Sequence, residues 1–82
     1  MMQLEIVTPD KKIFEGQVTE ATFPGANGSF QVLQNHAAIV SALAKGVVAY
    51  SGPAGKASMV VDGGVVEVKD NKIVLLVEKV LS

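Results

Sequence analysis

Apolar residues recur at every second position in short runs, and turn-forming residues interrupt these runs at about 8–12 residue intervals, the rhythm of a β-sandwich or barrel. Leu4-Glu5-Ile6-Val7 opens the series, with Leu4 and Ile6 on one face. Thr8-Pro9-Asp10 ends it, because proline supplies no ladder donor. Lys12 to Glu15 forms a second run closed by Gly16, and Val18 to Phe23 a third, with Ala21 and Phe23 sharing a face. Pro24 to Gly28 is predicted as a loop, with two glycines able to take positive φ. Ser29 to Leu33 resumes the strand.

The second half carries stronger turn signals. Ser51 to Gly55 predicts a reversal after Val47–Tyr50. Asp62-Gly63-Gly64 predicts a hairpin between Ser58–Val61 and Val65–Val68, and Asp70-Asn71 a hairpin before Lys72–Glu78. Ile73 to Val77 is apolar at every position, which predicts a central or doubly covered strand. His36 to Ala44 is open between two readings: its alanines suit a helix, whereas its shortness, Gly46, Ile39 and Val40 favour a strand. The expected architecture is all-β, one domain spanning residues 1–82.

Composition narrows what such a domain can do. Apolar residues make up 49% of the 82 residues and charged residues only 18%, an apolar surplus that predicts a protein partner. There is no cysteine and one histidine, so disulfides, Cys-based zinc sites and His-rich metal clusters are all excluded. A net charge of −1, scattered lysines and few aromatics exclude a nucleic-acid face. The N-terminus lacks a basic stretch followed by an apolar one, and no apolar run reaches the roughly 18 residues of a membrane span.

The candidate chemistry is thin. Gly55-Lys56 imitates a phosphate loop, but Tyr50 stands where the first glycine belongs and Ala57 where the magnesium-binding hydroxyl belongs. Asn27-Gly28-Ser29 fits a glycosylation acceptor, yet no secretion signal accompanies it. His36 has no nucleophile elbow or orienting acid in sequence, so it reads as a structural or interface residue. The eight carboxylates are dispersed and read as solvated strand faces and turns. No catalytic residue, cofactor or metal ligand is predicted. Asp10-Lys11 imitates the lysine of a lipoyl or biotinyl carrier domain, though it lies near the N-terminus where such a lysine sits mid-chain. A carrier domain, or another sandwich-type binding module, is the alternative reading.

The ordered series of motifs resembles the epsilon subunits of F-type ATP synthases. Leu4 to Asp10 followed by Phe14-Glu15-Gly16 is similar to the opening of that family. Pro24-Gly25-Ala26-Asn27-Gly28-Ser29-Phe30-Gln31-Val32-Leu33 resembles its Pro-Gly-x-x-Gly-x-hydrophobic-Gly-x-Leu segment. His36-Ala37, Leu43 and Lys45-Gly46-Val47-Val48 follow in the family's order, then Asp62 to Val68 and Asn71 to Leu76. Gln31 replaces a common glycine, Gln34-Asn35 replaces Pro-Gly, and Ala38 replaces a proline. Asn35 retains access to positive φ.

The resemblance implies a flattened β-sandwich of about ten short, mainly antiparallel strands. It implies a non-catalytic rotor subunit of the central stalk, held between the gamma subunit and the c-ring and coupling proton flow to ATP synthesis. Its place would be peripheral, on the cytoplasmic face of the bacterial inner membrane. By motif position, Ala26, Asn27, Gly28 and Ser29 would face the c-ring, and Thr8, His36 and Ser41 the gamma subunit. The family's C-terminal helical hairpin and its Asp-x-x-Arg-Ala segment have no counterpart before Ser82, so inhibitory and ATP-sensing roles do not transfer. The start at Met1-Met2 favours a natural or near-natural short form.

Overall fold

A computed structural model describes residues 1–82 as seven strands and no helix. The strands are β1 (Met2–Val7), β2 (Lys12–Val18), β3 (Glu20–Gly25), β4 (Gly28–Leu33), β5 (Ile39–Gly52), β6 (Gly55–Lys69) and β7 (Lys72–Val77). They form one sheet in the order β2-β1-β7-β6-β5-β3-β4, antiparallel except for the β1–β7 pair.

The sheet folds over on itself because β5 and β6 serve both of its layers. The start of β5 pairs with the end of β6, Ile39 opposite Val68, in a layer with β7, β1 and β2. The end of β5 pairs with the start of β6, Ser51 opposite Lys56, in a layer with β3 and β4. Fifteen buried apolar side chains fill the space between. Met2, Leu4, Ile6, Val66, Val68, Ile73, Leu75 and Val77 come from the first layer, and Ala21, Phe23, Val32, Val48 and Val61 from the second. Each is the inward member of an alternating strand, so the period-two pattern built the core it predicted.

The all-β expectation holds, with seven strands in place of about ten. One expected reversal is not a reversal. Asp62-Gly63-Gly64 lies inside β6, and its register with β5 is unbroken: Lys45 pairs with Asp62 and Leu43 with Gly64. Gly63 (φ 86°) and Gly64 (φ 150°) bend the strand around the edge of the core without turning it back. A side chain at Gly64 would overlap the Leu76 carbonyl oxygen, so glycine also lets β7 approach closely. The stretch from Ile39 to Gly52, expected as two runs, is likewise one bent strand.

The Pro24–Gly28 loop shrinks to a two-residue turn, Ala26-Asn27, between β3 and β4. Pro24 is tolerated in β3 because its ladder to β5 is interrupted there, so the missing N–H leaves no bond unmade. Asp70-Asn71 is a true hairpin turn, with φ of 51° and 60°. The ambiguous stretch is strand from Ile39 onward, and no part of it is helical. β7 is central in its layer, as expected, but only one of its faces is covered.

Candidate functional site

The uncovered face of β7 anchors the most distinctive surface of the molecule. Inward Leu4, Ile6, Ile73 and Leu75 force their alternate neighbours outward. Register then aligns those neighbours into rows. Val7 lies beside Leu76, Leu76 beside Val65, and Val65 beside Ala42, an apolar row across four strands. The adjacent row is Glu5, Val74, Glu67 and Val40. Val65 is 40% exposed, Leu76 53% and Val40 70%. Beside this row, Thr8 and Pro9 line a shallow groove with Val65, Leu76 and Glu78. Contiguous outward Val and Leu are costly to leave in water and mark an interaction surface.

A charged strip bounds the apolar row on the β2 side. The Lys12 ammonium lies 3.0 Å from Glu5 and 2.9 Å from Glu15. Hydrogen bonding to Glu15 and then Glu5 raises the Lys12 pKa, and the hydrogen bond from Lys12 lowers that of Glu15. Gln17 donates to Gln3 at 2.8 Å alongside.

The opposite outward face, on β3 and the end of β5, is polar and internally satisfied. The Glu20 carboxylate accepts from the Ser51 hydroxyl at 3.1 Å and from the Gln31 amide at 3.3 Å. Leu33 and Val47 are exposed on this side as well.

The residues singled out by motif position fall at several places. Ala26 and Asn27 form the exposed β3–β4 turn, and Gly28, at φ 127°, and Ser29 open β4 beside it, also exposed. The Ala26 N–H donates to the Ala42 carbonyl at 3.0 Å, which sets this turn beside the end of the apolar row. Thr8 lies at the other end of that row, directly after Val7. Its backbone N–H and hydroxyl both bond the Lys11 carbonyl, at 2.9 and 3.2 Å, so its polar atoms are committed to the β1–β2 turn. Ser41 shares a face with buried Leu43 and is half-buried on the core-facing side of β5. His36 sits in the β4–β5 loop, with Nδ1 2.7 Å from the Ala37 carbonyl oxygen. The structure therefore places Thr8 and the Ala26–Ser29 turn toward one end of the sandwich and His36 toward the other.

No group of three or more His, Asp or Glu side chains is arranged to hold a metal ion. Gly55-Lys56 sits at a β5–β6 hairpin, which has no helix N-terminus to receive a phosphate. Lys11 lies in the β1–β2 turn, where Thr8 caps its backbone N–H at 3.3 Å. Motif reasoning missed the outward residues Val7, Val40, Val65, Val74 and Leu76. Their signal was present in the unbroken apolar run of β7, which carries more hydrophobic positions than one buried face can use.

Known proteins resemble this chain along its whole length. The family model for the β-sandwich domain of the ATP synthase delta/epsilon chain matches residues 1–82. The ATP synthase epsilon chain of Nitratiruptor sp. is 46% identical over 78 residues, 94% of this chain and 60% of the relative. The ATP synthase epsilon chain of Chlorobium limicola is 42% identical over 79 residues, 95% of this chain and 90% of the relative. The chain thus spans about three-fifths of the first relative's length and nine-tenths of the second's. Among solved structures, a chain of the Euglena gracilis mitochondrial ATP synthase, in an assembly of OSCP, F1 and c-ring, superposes with a TM-score of 0.90. It is 24% identical and shares the fold over 98% of this chain and 52% of its own. A chain of the Tetrahymena thermophila mitochondrial ATP synthase central stalk and c-ring gives 0.81 at 20% identity, covering 99% and 66%.

Proposed function

Because the chain belongs to the family of ATP synthase delta/epsilon β-sandwich domains, we propose that it works as the non-catalytic epsilon subunit of an F-type ATP synthase rotor. In this reading the apolar outward face docks on the gamma subunit. The exposed Ala26–Ser29 turn, at the rim of that face, meets the c-ring. The subunit fixes gamma to the ring so that proton-driven rotation reaches the catalytic sites, and the complex holds it at the cytoplasmic face of the bacterial inner membrane.

One observation carries this reading: the row Val7–Leu76–Val65–Ala42, outward, apolar and continuous across four strands. A domain whose work is mechanical needs a broad contact that holds torque, and such contacts are driven by apolar burial with a polar rim. The Lys12–Glu5–Glu15 strip supplies a rim of that kind on one side.

The test is reconstitution. Bacterial membranes stripped of their own epsilon subunit are incubated with the purified chain, and binding and proton-driven ATP synthesis are measured. The expected result is stoichiometric rebinding through gamma and recovery of synthesis. Failure to bind purified gamma would overturn the reading.

A further inference from the structure

At the His36 end of the sandwich, two asparagines are bonded to each other. The Asn35 backbone N–H donates to the Asn71 side-chain oxygen at 2.6 Å, and the Asn71 side-chain amide donates to the Asn35 side-chain oxygen at 3.1 Å. The first donor is a backbone N–H, so the orientation of the Asn71 amide is fixed by the bond it accepts. Asn35 lies in the β4–β5 loop and Asn71 in the β6–β7 turn. The Asn71 carbonyl also accepts from the Gln3 N–H at 2.9 Å. One residue thus ties together the start of β1, the β6–β7 turn and the loop that carries His36.

Both asparagines are left-handed, with φ of 66° and 60°. Glycine takes that conformation at lower cost, so asparagine at both positions sacrifices backbone ease for a side chain. Each of those side chains bonds the other residue. The remaining hydrogen bonds of the loop are local: His36 N–H to the Leu33 carbonyl at 3.1 Å, and the His36 ring to Ala37. Only the Asn35–Asn71 pair reaches from the loop to the other layer.

We propose that Asn35 and Asn71 form a latch that preorganises the Gln34–Ala38 loop, so that Asn71, from a different turn, positions His36 for the gamma subunit. This rests on the proposed function together with the motif-based expectation that His36 faces the gamma subunit. A loop ordered before docking loses less freedom on docking, and its contacts contribute more to affinity. Asn35 and Asn71 are positioning residues whose effect on the partner passes through the loop.

The experiment uses Asn35→Gly, Asn71→Gly and the double variant, with His36→Ala as reference and purified gamma subunit as partner. Glycine keeps the positive φ; Asn71→Gly removes both bonds of the latch, whereas Asn35→Gly removes only the bond to the Asn35 side-chain oxygen and keeps the backbone donor. Asn71→Gly is expected to weaken gamma binding by about three- to tenfold, the worth of one or two net hydrogen bonds, and Asn35→Gly by less, since it loses only one of them. The double variant is expected to bind no more weakly than Asn71→Gly alone, because that change already removes both bonds. Amide exchange at Asn35 and His36 should accelerate in Asn71→Gly while Val66 and Leu75 keep their protection, a pattern that general destabilisation would not give. Additive losses, or unchanged exchange at Asn35, would overturn the latch. Unchanged gamma binding in the latch variants, with His36→Ala weakened, overturns the latch alone. Unchanged binding in His36→Ala overturns the reading of this loop as a partner contact, and the latch's role with it.

Discussion

The two outward faces share the strands β5 and β6 yet are opposite in chemistry. On the first layer, outward positions include Val7, Val40, Val65, Val74 and Leu76, with Glu5 and Glu67 set among them in one row only. On the second, Glu20 holds Ser51 and Gln31 in hydrogen bonds, and Thr22 and Ser58 flank them. The second face leaves Leu33 and Val47 exposed, but its central polar groups bond one another. The first face exposes a continuous apolar row, and burying it releases roughly 25 cal/mol for each Å² removed from solvent. The same strand alternation that builds one core therefore leaves one face centred on a polar network and the other on a continuous apolar row.

The largest effect is expected where the two faces are joined. Gly64 is the point at which β6 leaves one layer for the other, and any side chain there meets the β7 backbone at Leu76 and Val77. Gly64→Val should cost more than about 3 kcal/mol, from backbone strain at positive φ together with an overlap that no rotamer relieves. A domain of this size has only about 5–10 kcal/mol in all. Urea denaturation should show the midpoint collapse. A midpoint near the original would mean that the layers are coupled less tightly than the continuous β5–β6 ladder requires.

A second prediction separates the faces directly. Leu76→Glu places a carboxylate at the centre of the apolar row, where docking would have to strip its water without an opposite charge. Binding to gamma should fall by about a hundredfold or more, as for the centre of an interface. Because Leu76 is 53% exposed, the melting temperature should move by only a few degrees. Ser58→Glu makes the same charge change on the polar face and should leave gamma binding unchanged. Calorimetric titration of both variants decides the matter. Equal losses, or no loss in Leu76→Glu, would erase the proposed distinction.

How much of this was legible in sequence follows from what each signal depends on. Period-two alternation is local, so the inward residues of β1, β3 and β7 were readable from their spacing. The turn at Asp70-Asn71 was readable because two left-handed residues in a row have little other use. Asp62-Gly63-Gly64 gave the same local signal and meant something else. Whether glycines turn a strand back or bend it around a corner depends on whether β5 follows alongside, and that partner lies some twenty positions away in sequence. The apolar outward face was legible only as an excess of apolar residues in β7. Its shape required the register of four strands, since Val7 and Ala42 become parts of one row only through Leu76 and Val65. The Asn35–Asn71 latch spans 36 positions and left no local trace beyond two residues suited to positive φ.

The smallest expected effect belongs to the charged strip, and it sharpens the comparison from its edge. Glu15 is exposed, and its pKa is lowered from the ordinary 4.5 by the Lys12 hydrogen bond and then by the Lys12 charge. Its contribution to stability is therefore present above pH 4.5 and is lost as pH falls through the lower folded value. Lys12 is raised from 10.5, chiefly by Glu15 and then Glu5, so its contribution is present below pH 10.5 and lost as pH rises through the folded value. Between those limits the strip is constant, and solvent and salt screen it strongly because it is exposed. Glu15→Gln should therefore flatten the decline in melting temperature below pH 4.5 slightly, with little change near neutrality. High salt should produce the same flattening in the unaltered chain. If instead Glu15→Gln weakened gamma binding as strongly as Leu76→Glu, the strip would belong to the centre of the contact and not its rim. Ionic complementarity, not apolar burial, would then be what sets the first face apart from the second.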